Sequence, residues 1–136
     1  MYQSHQLDLF HDQSLNPIHE IKRQIRLVLS NSGLSRDQVV DRMNEVATKE
    51  GIRNSVSKAV LDGWAKDSDP KRMPSLISMV VFCSVMGTAA PIAAILRPLG
   101  CGVLNGEDLK LLLWAKAEME KKRSVKKARL ALEAIE

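Results

Sequence analysis

Aromatic residues are scarce in this chain. Two Phe, two Trp and one Tyr make up 4% of 136 residues. β-Sandwiches and barrels lean on aromatic and β-branched strands, and no β-hairpin pattern occurs, so a small helical domain is expected. Cysteine is equally sparse. Cys83 and Cys101 lie in apolar surroundings without a C-x-x-C pair, which argues against a disulfide scaffold or zinc site and fits a reducing compartment. The only histidines are His5, His11 and His19. Two fall in a polar leader and one at a helix start, so no metal site is expected. Ser/His/Asp and Cys/His arrangements with a supporting context, Gly-rich phosphate loops and carboxylate pairs in apolar settings are all missing. The chain therefore reads as a non-enzyme, with no cofactor and no small-molecule substrate. Residues 1–16 contain no Lys or Arg. They lack the basic start of a signal peptide, and a cytoplasmic location is expected.

Charge of one sign does not dominate. Twenty Lys+Arg against 16 Asp+Glu give +4 and a pI near 9.2. This permits an anionic partner without requiring one. One uncharged run, Met73 to Leu96, is long enough to raise a membrane span. Gly87-Thr88 and Pro91 interrupt it, which favours two short buried core helices and no membrane partner.

Helix signals then follow in order. Asn16 is an N-cap candidate with Pro17 at the first helical position; Ile18, Ile21, Ile25, Val28 and Leu29 recur at helical spacing, and Gly33 stops the run. Ser35-Arg36-Asp37-Gln38 forms a capping box for a second helix ending at Gly51. A third, short helix is capped by Ser55 or Ser57. Its Val56, Val60, Leu61 and Trp64 are expected to face inward, with Lys58, Asp62 and Lys66 outward. A fourth helix runs from about Ser75 to Met86 and a fifth from Ala89 to Arg97, capped by Thr88. Asn105 caps a long last helix from Glu107 to about Ala134, with acidic residues in its first turn. The fold class is thus all-α. Residues 1–16 form a flexible arm, 17–104 a domain and 105–136 a helical extension.

A short third helix with one apolar and one polar face, braced by the second, suits insertion in the major groove of double-stranded DNA. Arg53, Asn54, Ser55, Ser57 and Lys58 offer cations and small hydrogen-bonding groups near its start. Arg36, Asp62 and Lys66 complete the candidate contact set. Leu34 through Val40 resembles the second helix of lambda-repressor-like (Cro/CI-type) helix-turn-helix domains. Val56 through Trp64 is similar to their third helix, and Pro74 through Gly87 to their fourth. The resemblance spans roughly residues 17–99. The chain departs from it at Val40, where the family carries alanine, and in Val46–Ser55, which is longer than the family's turn. The layout also resembles small proteins of Mu-like transposable prophages. The resemblance implies a bacterial, nucleoid-associated phage or mobile-element regulator, or a transposition or replication accessory factor. Against this, Pro17–Pro74 holds 11 basic and 8 acidic residues, so the same scaffold could bind protein instead.

Gln6-Leu7-Asp8-Leu9-Phe10 reads QLDLF and resembles the bacterial sliding-clamp-binding pentapeptide at all five positions. That implies an alternative function, an adaptor docking on the replicative clamp, with Leu7, Leu9 and Phe10 as anchors and Gln6 hydrogen-bonding at the rim. In the last helix, Leu109, Leu111, Leu112, Leu113 and Trp114 are expected to pack on the domain. Val125, Ala128, Leu132 and Ile135 keep a coiled-coil spacing among Lys and Arg residues. A solvated charged helix, a homodimer seam and phosphate contact all remain open for it.

Overall fold

A computed structural model describes residues 15–53 and 55–135. Within them the chain is all-helical, with no strand. Six α-helices are present: α1 (Ile18–Asn31), α2 (Arg36–Lys49), α3 (Lys58–Ala65), α4 (Leu76–Met86), α5 (Ala90–Leu96) and α6 (Gly106–Ile135). A 3-10 turn, Arg97–Leu99, follows α5. The chain divides into two compact units between Val103 and Leu104.

In the first unit α1 packs on α3 and α5, α2 on α3 and α4, and α4 on α5. Each helix contributes a stripe at three- and four-residue spacing. Ile21, Ile25 and Leu29 come from α1, Val39, Val40 and Met43 from α2, and Met79, Phe82 and Cys83 from α4. Leu61 and Trp64 of α3 are buried among them. Breaks between helices follow local chemistry. Gly33, Gly51, Gly87 and Gly100 all take positive φ, a conformation that side chains with a Cβ resist. Gly87 ends α4 this way. No helix among the described residues is long and apolar enough to cross a membrane.

Four expectations need correction. Pro17 occupies the N-cap of α1 rather than its first turn, and Asn16 Oδ1 accepts from the Ile18 amide at 3.1 Å instead. Ala89, not Thr88, is the N-cap of α5; Thr88 Oγ1 accepts from the Ala90 amide at 3.2 Å. The fourth helix is not buried all round. Leu76, Ile77 and Val80 are exposed while Ser78 is buried, because α2 and α5 cover only one side of α4. Cys101 is exposed.

The second unit, taken by itself, is the single helix α6. Asn105 Oδ1 caps it, accepting from the Asp108 amide at 2.8 Å. No described residue of α6 is buried. Leu109, Leu111, Leu112, Leu113 and Trp114 are exposed, since a lone helix offers its apolar residues no second layer.

The packing of α1 on α3 has an ionic centre. Lys22 is fully buried, although lysine rarely is. Its Nζ donates to the carbonyl oxygens of Gly63 at 2.9 Å, Trp64 at 3.3 Å and Arg72 at 2.8 Å. Burial pushes the Lys22 ammonium below the ordinary lysine range, with Asp69 and Asp67 pulling it back. One turn on, Arg26 Nη1 donates to the Ala65 carbonyl at 2.9 Å and meets Asp67 Oδ1 at 3.0 Å. That hydrogen bond holds the Asp67 carboxyl below its usual range. The last three carbonyls of α3 thus end on two cations of α1, the favoured sign for a helix C-terminus.

Lys22→Met keeps the apolar stem and removes the donors. Three carbonyls lose a charged partner, and a loss of about 2–3 kcal/mol is expected in urea unfolding. A variant as stable as the parent would show that water satisfies those carbonyls.

Candidate nucleic-acid interface

The capping box at the start of α2 is present in both directions. Gln38 N donates to Ser35 Oγ at 3.1 Å, and Ser35 N donates to Gln38 Oε1 at 2.9 Å. The helix ends with Ile52 N donating to the Ala47 carbonyl at 2.8 Å, around Gly51 at φ +69°. This six-to-one closure turns the chain back sharply, and Ile52 tucks against the core.

The turn that follows is held by one side chain. Asn44 Nδ2 donates to the Val56 carbonyl at 3.0 Å, and the Val56 amide donates to Asn44 Oδ1 at 2.9 Å. Asn44 thereby satisfies both backbone groups of a residue whose own side chain is buried. Ser57 then caps α3, its Oγ accepting from the Val60 amide at 3.2 Å. Of the two cap candidates, Ser57 is used.

Around this cap the exposed residues are Arg53, Ser55, Ser57 and Lys58. Asn54 and the QLDLF residues, Gln6 to Phe10, lie outside the described residues. Arg36 and Asp62 form a separate pair. Arg36 Nε stands 3.8 Å from Asp62 Oδ1, linking the start of α2 to the middle of α3. Arg36 Nη1 is buried and has no hydrogen-bond partner among the described residues. Lys66 is exposed at the far end of α3, about 12 Å along the axis from Lys58.

Val60 departs from expectation, with 41% of its surface exposed. It stands a quarter turn from Leu61, at the edge of a buried arc made by Leu61, Trp64 and Ala65. A helix of two turns is too short for its neighbours to cover that edge. With Ala59, also exposed, Val60 gives the outer face of α3 two small apolar contacts. Their own helical spacing alone does not mark either as a surface residue. The spacing of Leu61, Trp64 and Ala65 is the signal that places them outside the buried arc.

The arrangement is a two-turn helix presented edge-on. Its N-terminus carries a positive dipole end, two cations and two hydroxyls, and its body carries small apolar groups. An anion, and a polyanion with apolar edges in particular, is the chemistry it can meet. No three His, Cys, Asp or Glu side chains converge as metal ligands among the described residues. Comparison with family models, curated proteins and solved structures gives no match.

Asn44→Ala strands the Val56 amide and carbonyl. A cost of about 1–3 kcal/mol is expected, with faster hydrogen exchange at the Val56 amide than elsewhere in the core. Unchanged exchange at Val56 would show that the turn holds itself without the clamp.

Proposed function

We propose that the first unit binds double-stranded DNA as a helix-turn-helix, with α2 bracing and the outer face of α3 in the major groove. The observation that carries this reading is the exposed set at the start of α3, Arg53, Ser55, Ser57 and Lys58, on a helix whose other end is tied down by Lys22 and Arg26. A recognition helix needs that combination. Its frame is fixed, and its polar N-terminus and small residues stay free for phosphates and base edges. Arg53 and Lys58 are assigned to phosphates. Ser55, Ser57, Ala59 and Val60 are assigned to groove contacts, the last two suited to thymine methyl groups. Asn54 belongs to the same set by sequence. Arg36 and Asp62 position the two helices through their ion pair, and Lys66 is a peripheral cation. The role that fits is a non-enzymatic regulator or accessory factor, as the resemblance to phage helix-turn-helix proteins implies.

The double variant Arg53→Ala, Lys58→Ala tests the face. Gel shifts at several salt concentrations should show weaker binding and a log–log salt slope lower by about two, one per lost phosphate contact. A folded double variant with parental affinity and slope would remove the assignment.

A second reading rests on its own observation, the five-position QLDLF match at Gln6–Phe10. In it the arm docks on the replicative sliding clamp, and the DNA-binding unit travels with the replication machinery. Leu9→Ala with Phe10→Ala removes two apolar anchors worth about 1.5–3 kcal/mol each. Clamp affinity should fall about a hundredfold or more, with the melting temperature unchanged. Loss of fold stability instead would mean that these side chains serve the core. Failure of the parent chain to bind clamp would make the match coincidental.

A further inference from the structure

The thirty residues of α6 form a helix about 45 Å long. Taken by itself it buries none of its apolar side chains. Leu111 and Trp114 are each 63% exposed, and Val125 is 64% exposed. A helix with this much uncovered apolar surface gains by pairing with another.

Leu111, Trp114, Glu118, Lys121, Val125 and Ala128 alternate steps of three and four residues. That is the seam of a two-stranded coil, and Leu132 and Ile135 continue its spacing beyond the segment paired below. The seam has one irregularity, and it is informative. Two opposite charges, Glu118 and Lys121, sit side by side in its middle.

Pairing with a second copy in parallel would set Glu118 on Glu118 and Lys121 on Lys121. Like charges would then meet in consecutive layers, which is destabilising. Pairing in antiparallel reverses the order of the seam. When Glu118 faces Lys121 of the second copy, Trp114 faces Val125 and Leu111 faces Ala128. Large side chains then meet small ones, as an interdigitated layer needs. Two-fold symmetry makes each of these contacts twice. Beside the seam, Ala117, Ser124 and Ala131 line one edge, small enough for close approach of the helices. On the other edge Arg129 falls beside Asp108 of the second copy. Sliding the helices by one heptad in either direction loses the match. Glu118 then faces Ala128 or Trp114, and Lys121 faces Val125 or Leu111, so both charges are left unpaired.

We propose that α6 is a self-association helix that joins two copies of this chain as an antiparallel pair, in the register that sets Glu118 against Lys121 of the second copy. The occupant of the bare stripe is a second copy because the charge pattern is self-complementary in one direction only.

The test uses the full chain in sedimentation equilibrium, with helix content followed by circular dichroism. The parent should be dimeric at about 100 µM. Glu118→Lys and Lys121→Glu should each weaken dimerisation at least about tenfold, because each puts like charges in both central layers. The two changes together in one chain should restore it, and a mixture of the two single variants should form heterodimers. Orientation is read by cysteines in a Cys101→Ser background. Leu111→Cys mixed with Ala128→Cys should give a disulfide-linked pair. Neither variant alone should link to itself, because equivalent positions would lie about 26 Å apart, beyond the roughly 7 Å a disulfide spans. A monomeric parent, single variants that dimerise like the parent, or self-linking of Leu111→Cys overturns the proposal.

Discussion

Everything the first unit can present to a partner depends on a lysine that sees no water. The Lys22 ammonium gathers three carbonyls, from Gly63, Trp64 and Arg72. Two of these close α3 and the third belongs to the loop leading to α4. A buried ammonium is costly unless its donors are used, and here each proton has an acceptor within 3.3 Å. The same atom therefore fixes the C-terminal end of α3, the path of the following loop and the face of α1 that turns inward. Arg26 extends the grip to Ala65 and Asp67. An eight-residue helix has little stability of its own, since nucleation consumes most of its hydrogen bonds. It persists here because its orphan carbonyls are taken up by α1.

The other end of α3 is held by a different device. Asn44 pairs with the Val56 backbone in both directions, and Ser57 caps the first turn. One end is thus fixed by cations, which suit the negative end of the helix dipole, and the other by neutral amide and hydroxyl groups. The neutral devices leave the positive end of the dipole uncompensated, beside Arg53 and Lys58. A carboxylate cap would have spent that potential inside the protein. The local electrostatics of the face therefore favour an approaching anion even though the whole chain carries only +4.

Much of this architecture is legible in the sequence because it follows from near neighbours. The capping box at Ser35–Gln38, the positive-φ glycines and the stripe Ile21, Ile25, Leu29 are local patterns with one dominant physical solution. Lys22 was not legible. It stands beside Arg23 and close to Arg26, and on spacing alone it reads as another solvated cation; its carbonyl partners lie 41 to 50 residues away. Asn44 was hidden for the same reason, since its partner Val56 is 12 residues on, across a turn whose path no local rule specifies. An inward stripe misplaces Val60 because α3 is too short to be covered on that side. The candidate site residues are picked out by residue type. Arg53, Ser55, Ser57 and Lys58 adjoin in sequence and are exposed together around the cap, whereas Arg36, Asp62 and Lys66 lie apart from them.

The modest charge of the first unit bears on what α6 contributes. Under the proposed DNA binding, the exposed Arg53 and Lys58 would give one copy about two phosphate contacts near the cap. Each contact contributes roughly 0.9 to the salt slope on duplex DNA, so the sequence-independent part of binding by one copy is small. Two routes can raise it: more cations on one face, or two faces held together. The residues around α3 do not take the first route, since Asp62 and Asp67 accompany Lys58 and Lys66. The proposed pairing through α6 would take the second. A pair of linked faces converts the second docking event into an intramolecular one, which raises affinity without any new contact to DNA. The two charges in the α6 seam then have a purpose that an all-apolar seam could not serve. They weaken the pairing somewhat, but they fix which copy meets which, in which direction and in which register. On this reading the chain separates two tasks in its sequence. In the two proposals taken together, neutral caps and small residues at α3 would meet the polyanion, and opposite charges at Glu118 and Lys121 would decide how many copies arrive together.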